Sequence, residues 1–362
     1  RDQCAAAFAN DSVVFNVSGI INLQSTVVID KEIKIIGPTA KYMTINLNNG
    51  DIRFNTFTID TIFISYLRFT KPTSNSNHFL VTNGAKVKFE YCVFDDMNTI
   101  VNGGAIEVNG ANSKLIVNGC SFFGNTTQNN GGAIFANNNA ECTVKNSTFN
   151  ENNAASTGGC ISLNATSTLI AVNNTFHNNN NGIIYAISPD CNIIITNNIF
   201  SSSAPTTMLL GTSIWNGLGG NVYTSTAGIL GSTLTTLGIN TSNDIFSGNQ
   251  ANLQLRPTHV TDGYGLKWFP VINSSGSSVE NGVISGYITD IDGRRAPRII
   301  DGDIDGAGII DAGACEYTPY RVTTNSGAGD FESIFTFANS NISGTVYIEF
   351  DCSPSGTHIT SG

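Results

Sequence analysis

Positive charge is scarce in this chain. Seventeen Lys and Arg stand against 27 Asp and Glu, for a net charge of −10, and no basic cluster offsets the imbalance. Such a surface repels phosphate, which argues against a nucleic-acid partner. Long apolar runs are missing too: no stretch approaches the roughly 18 residues a membrane-spanning helix needs. With four histidines and no cysteine pair at metal-ligand spacing, zinc is not expected. Charged residues of both signs make up only 12% of the chain, whereas 40% is hydrophobic, enough for one long core and too much for disorder. The first residue is Arg1 and no signal peptide is visible, so the chain reads as a mature product or a piece of something longer.

What is present is a repeat. Phe94, Phe122, Phe149, Phe176 and Phe200 recur at intervals of 28, 27, 27 and 24 residues. Upstream of the last four stand GGAI at 103–106, GGAI at 131–134, GGCI at 158–161 and GII at 182–184. Seven residues before each Phe lie Val87, Leu115, Cys142, Leu169 and Ile193; five before lie Phe89, Val117, Val144, Ala171 and Ile195. The same ruler applied to Phe69 finds Ile62 and Ile64. These apolar positions alternate with Lys86, Lys88, Lys114, Lys145 and Thr196, the period of a strand with one buried face. Asn-Gly-rich runs such as Asn129–Gly132 and Asn178–Gly182 separate the strands, and these residues accept left-handed backbone angles at low cost. A period of 20–30 residues built from strand and turn is a solenoid. The expected fold is all-β, a right-handed parallel β-helix with Phe94, Phe122, Phe149, Phe176 and Phe200 as a core ladder.

The two ends of the chain share a layout. Residues 1–17 read as a Cys/Ala/Phe helix, an Asn-x-Ser and a strand at 13–17; residues 330–350 repeat it, Asn341 to Ser343 matching Asn10 to Ser12. The chain is therefore expected to hold one module, 1–318, and the start of the next, 319–362. Within the module, 1–19 would be a capping helix and first strand, 20–284 the coils, and 285–318 an Asp/Arg-rich cap over open strand edges.

The segments TVVIDKEIKIIGPTAKYMTINLNNG (26–50) and TIFISYLRFT (61–70) resemble secreted right-handed β-helix repeat proteins of the Bacteroidota and some archaea. The GGAI motifs, and Asn125, Asn152 and Asn179 three residues after their Phe, are similar to chlamydial polymorphic outer-membrane proteins. The stretches LQL (253–255), FPVINSSG (269–276), DIDGRRAPR (290–298) and DAGACEY (311–317) resemble the ends of such modules. The resemblance implies a surface adhesin or stalk of many modules, exported through the type IX pathway and attached to the cell surface. Its partners would be other modules of the same polypeptide, further copies in a bundle, and a cell-surface or glycan target.

Three sets of residues invite chemistry. Asp301, Asp303 and Asp305 alternate before Gly306, with Asp311 following, a pattern that can fold carboxylates around Ca²⁺. Ala312 stands where an EF-hand needs Glu, so a looser calcium loop is expected. The plain reading is a solvated acidic turn in which Asp311 and Glu316 pair with Arg294, Arg295 or Arg298, with Asp290 and Asp292 joining the cap ion pairs. Eight cysteines fit an oxidising compartment. Cys92 and Cys120, each two residues before a ladder Phe, would sit about 4.8 Å apart in adjacent coils, within reach of a disulfide; the alternative is a pair of buried thiols. Cys142 and Cys160 read as core. The third set is catalytic, since many parallel β-helices cleave polysaccharides. The coils from 130 to 250 carry few titratable groups: Glu141, Lys145, Glu151, His177, Asp190 and Asp244. The one acidic pair, Asp95-Asp96, faces Phe123-Gly124 and Asn150-Glu151 in the next coils and reads as a solvated turn, because acid–base work needs two converging carboxylates. No catalytic residue is assigned. The leading reading is an extracellular structural or adhesive module; the runner-up is a carbohydrate-binding or carbohydrate-cleaving β-helix.

Overall fold

The computed structural model describes residues 7–38, 42–55, 61–76, 78–202 and 213–224, with shorter stretches at 209–210, 244–246, 255, 259–261, 266–269, 291–295, 299–300, 309–315, 321–322 and 349–350. Every regular element among them is a strand. Most of the capping helix expected at the start falls outside the described residues; residues 7–8 are coil and 9–10 a turn, and the first strand is Ser12–Val14.

Each coil contributes one strand to each of three parallel sheets. One coil runs through Ile106–Asn109, Lys114–Asn118 and Ser121–Phe123; the next through Ile134–Asn137, Glu141–Lys145 and Thr148–Asn150. Repetition builds sheets of eight, nine and twelve strands respectively, the last widened by short extensions such as Thr126–Thr127. The alternation read from the sequence becomes register: Val87, Leu115, Cys142, Leu169 and Ile193 lie side by side in the nine-strand sheet, as do Phe89, Val117, Val144, Ala171 and Ile195. All ten are buried.

The phenylalanine ladder is continuous and longer than expected. Phe94, Phe122, Phe149, Phe176 and Phe200 stack with ring centroids 4.5, 4.6, 5.0 and 5.1 Å apart. Phe69 extends the column at one end (5.3 Å) and Tyr223 at the other (5.2 Å). Beside it runs a column of buried amides. Asn125 Nδ2 donates to Asn152 Oδ1 and Asn152 Nδ2 to Asn179 Oδ1, both at 2.8 Å, while the three amides also donate to Phe94 O, Phe122 O and Phe149 O in turn. Buried polar groups must find partners; here each amide finds them one coil away.

Two glycine roles explain the GGAI motif. The first Gly of each pair takes a left-handed turn, with φ of +70° at Gly103, +71° at Gly131 and +64° at Gly158. The second lies against the next coil: a Cβ on Gly104 would sit 1.9 Å from Gly132 O, and one on Gly132 2.0 Å from Gly159 O. No side chain fits that gap.

Candidate functional site

Asp95, His177, His259 and Lys267 converge where a C-terminal segment returns to the flank of the solenoid. The outward positions of the twelve-strand sheet place Asp95, Phe123, Asn150, His177 and Ser201 in one column. Lys267 crosses this column. Its N–H donates to Ser121 Oγ at 2.8 Å, its carbonyl accepts from the same hydroxyl at 2.8 Å, and its Nζ reaches both Asp95 oxygens at 3.0 Å. Arg68 Nη2 meets Asp95 Oδ2 at 2.6 Å. Asp95 is thus 6% exposed and held by two cations. The solvated-turn reading is corrected for Asp95; Asp96 does face solvent, in a left-handed turn with φ of +52°. Partial burial, then the neighbouring Asp95 charge, raises the Asp96 carboxyl above its ordinary range.

Aromatic and imidazole rings complete the patch. Phe269 packs 4.3 Å from the His177 ring and 6.3 Å from Phe123, and His259 lies 4.9 Å from Phe123. Lys267 Nζ also sits 4.8 Å above the Phe123 ring. The Asn178 amide donates to His177 Nε2 at 2.9 Å, which leaves Nδ1 to carry the proton toward Ser201 Oγ at 3.1 Å. Burial lowers the His177 pKa to about 4, so the ring is neutral at neutral pH. Burial and then Lys267 lower His259 as well.

A second contact line follows the corner between the nine- and twelve-strand sheets, where Tyr66, Tyr91, Gly119, Asn146, Asn173 and Asn197 all have positive φ, from 51° to 63°. Arg295 lies over the stacked rings of Tyr66 and Tyr91, 5.7 and 5.3 Å from their centroids. Gly293 packs so tightly that a Cβ would fall 2.5 Å from Asn146 O. Asn173 Nδ2 donates to Asp311 O at 3.2 Å, Gly313 N–H to Asn197 O at 2.7 Å and Ala314 N–H to Thr175 Oγ1 at 3.0 Å. Residues 293–295 and 311–314 of the expected cap therefore lie along the flank of the coils. Of the expected ion pairs, Asp292 and Arg294 join each other at 2.8 Å, with the carboxylate fully buried. Asp290, Arg298 and Glu316, like the calcium candidates Asp301, Asp303 and Asp305, lie outside the described residues. Asp311 is buried at 3% exposure and meets the solenoid through its backbone carbonyl. Among the described residues no group of three His, Cys, Asp or Glu could hold a metal ion.

Cys92 and Cys120 prove to be rungs of a third column, two positions before the ladder rings. Successive backbone N–H groups donate to the side chain one coil on: Cys92 to Cys120 Sγ (3.4 Å), Cys120 to Ser147 Oγ (3.1 Å), Ser147 to Asn174 Oδ1 (3.0 Å), Asn174 to Asn198 Oδ1 (3.0 Å), Asn198 to Asn221 Oδ1 (3.0 Å) and Asn221 to Asp244 Oδ1 (2.8 Å). Both thiols are in neighbouring coils, buried and unbridged. Burial and the Cys92 hydrogen bond push the Cys120 thiol well up. The signal for this column was present in the sequence, but four different residue types share the one acceptor role and hide it.

Chemically, the flank patch offers one carboxylate held by two cations and two imidazoles against aromatic rings, His177 buried and His259 exposed. That arrangement holds segments together more readily than it transfers protons. Comparison with family models, curated proteins and solved structures finds no match to this chain.

Proposed function

We propose that this chain is a stiff segment of an extracellular, surface-attached rod that serves reach and contact with surfaces or other cells. The observation that carries this reading is the set of unbroken axial columns. Seven stacked rings and two chains of buried hydrogen bonds tie each coil to the next. Such columns resist bending because parting two coils breaks several buried bonds at once. Beyond the flank segments, Arg321–Val322 pairs in parallel with Glu349–Phe350, 28 residues later, the spacing of Phe94 to Phe122 and what the start of a following solenoid requires. The adhesive role, the partner surface and a structural Ca²⁺ rest on the sequence readings above.

Electron microscopy of a polypeptide carrying two such modules tests it. Nine strands stacked about 4.8 Å apart span roughly 40 Å, so two modules should give rods of about twice one module's length. Isolated compact globules would refute the rod. Release of reducing ends from polysaccharides by the same sample would favour the carbohydrate-active reading.

A further inference from the structure

We propose, resting on the contact role above, that the outer face of the nine-strand sheet docks an acidic polysaccharide, a chain of sugars that each carry a carboxylate. Two axial columns of outward side chains make this face. One runs from Lys34 through Phe63, Lys88, Ile116 and Thr143 to Asn216, the other from Lys86 through Lys114, Glu141 and Thr168 to Ile214. No side chain in either column is buried. Midway along the other two sheets outward residues are buried instead, Phe123 and His177 on the twelve-strand sheet and Phe135 and Ser162 on the eight-strand sheet.

Charge singles out the same face. The chain carries a net charge of −10. Yet among the described residues the outward strand positions of this sheet set Lys34, Lys86, Lys88, Lys114 and Lys145 against only Glu90 and Glu141. Asp11, Glu32 and Asp190 stand just outside its strands, two or more coils from the Lys86–Lys114 pair. Lys86 and Lys114 are direct neighbours in register. Like charges so placed destabilise a sheet, and an anion laid across them relieves the repulsion. Lys88 reaches Glu90 at 2.7 Å and Lys114 reaches Glu141 at 3.2 Å. Surface pairs of this kind are worth little, so a carboxylate from another molecule can replace them.

Spacing selects the partner. Coils repeat about every 4.8 Å, close to the length of one sugar unit in an extended chain. Successive carboxylates of a polyuronate laid along the axis therefore meet Lys86 and Lys114 in turn, with Lys88 beside them. Further along, Thr143 and Thr168 present hydroxyls for sugar hydroxyls, and Ile116 and Ile170 an apolar strip for the C–H face of the ring. Duplex DNA carries a charge every ~1.7 Å, far denser than these lysines on an acidic chain can match.

Fluorescence anisotropy of end-labelled alginate oligomers, titrated with the full chain, reads the contact. Binding should be present at about 50 mM salt and weaken several-fold by about 200 mM, as counterion release requires. Alginate with its carboxyls amidated, hence neutral, should bind about tenfold more weakly or not at all. The triple variant Lys86→Gln, Lys88→Gln, Lys114→Gln should lose about tenfold or more, while Arg53→Gln, on the eight-strand sheet, stays within about twofold of wild type. Glu141→Gln removes a carboxylate from the face and should strengthen binding. No binding at the lower salt, equal binding of the neutral polymer or wild-type affinity in the triple variant overturns the proposal. So does tighter binding of duplex DNA of equal length, which would mark a nucleic-acid surface. Should the triple variant fail to fold, Glu141→Gln decides: unchanged or weaker binding counts against the face. Electron micrographs judge the rod independently, since rods that ignore alginate overturn this surface alone and globules that bind it overturn the rod alone.

Discussion

Asn221 donates both its backbone N–H (2.8 Å) and its Nδ2 (3.3 Å) to Asp244 Oδ1, so a column of thiol, hydroxyl and amide rungs ends on a carboxyl. Tyr223, a ring of the aromatic ladder, reaches the other oxygen of that carboxyl at 3.4 Å. Two axial columns thus meet on one side chain.

That carboxyl gives a pH-dependent prediction. Burial raises Asp244 from 3.8 to about 6, although three hydrogen bonds pull the other way. A carboxyl with a raised folded pKa binds its proton more tightly in the folded chain. Its stabilising contribution is complete below the ordinary carboxylate range and is lost as pH rises through about 6. Asp244→Asn, which continues the amide column, should stabilise the protein at pH 7.5 by about 1–3 kcal/mol. Thermal melts should show that advantage vanish near the ordinary carboxylate pKa. An advantage of equal size at both ends of the range would contradict the assignment.

Phe149 lies mid-ladder, fully buried between Phe122 and Phe176. Phe149→Ala should cost roughly 3–5 kcal/mol in chemical denaturation, because it opens a cavity in the column. Phe149→Tyr should cost less, roughly 1–3 kcal/mol, for a buried hydroxyl without the carboxyl that Tyr223 has.

The amide and thiol columns should respond differently to small changes. Asn152→Ala removes the acceptor of Asn125 Nδ2 and the donors to Phe122 O and Asn179 Oδ1. Unsatisfied buried groups make this loss roughly 2–4 kcal/mol. Cys120→Ser should stay within about 1 kcal/mol of wild type, because Ser147 already fills the same role one coil on.

Thiol chemistry separates the two readings of the cysteine pair. Burial raises Cys142 to about 12 and pushes Cys120, Cys160 and Cys191 upward too. Iodoacetamide on the native protein should therefore leave these four unmodified at pH 8, and denaturation should expose Cys92 and Cys120 to labelling. A Cys92–Cys120 peptide pair that labels only after reduction would show a disulfide instead.

Calcium is tested by removal. If Asp301, Asp303 and Asp305 bind Ca²⁺, chelation should lower the melting temperature and Asp303→Asn should abolish that sensitivity. An unchanged melt in a metal-loaded sample counts against the site.

The period, the inward and outward faces and the phenylalanine ladder follow from the sequence alone, while the division of each coil into three strands was seen in the structure. A solenoid maps distance along the chain onto position along its axis, so residues 27 or 28 apart become neighbours without further information. Asn125, Asn152 and Asn179 were legible for the same reason. The flank patch was not. Lys267 meets Asp95 across 172 residues, and no period links a returning segment to the coil on which it lands. Asp95 therefore read as a solvated turn until the fold placed two cations on it. The cap suffered the same limit: its Asp and Arg content showed that it would find partners, and only the path of the chain decided that Arg295 would lie on Tyr66 and Tyr91 and Gly313 against Asn197. Local repetition determines a solenoid's interior because every contact there is between equivalent positions; its exterior depends on contacts between unlike ones.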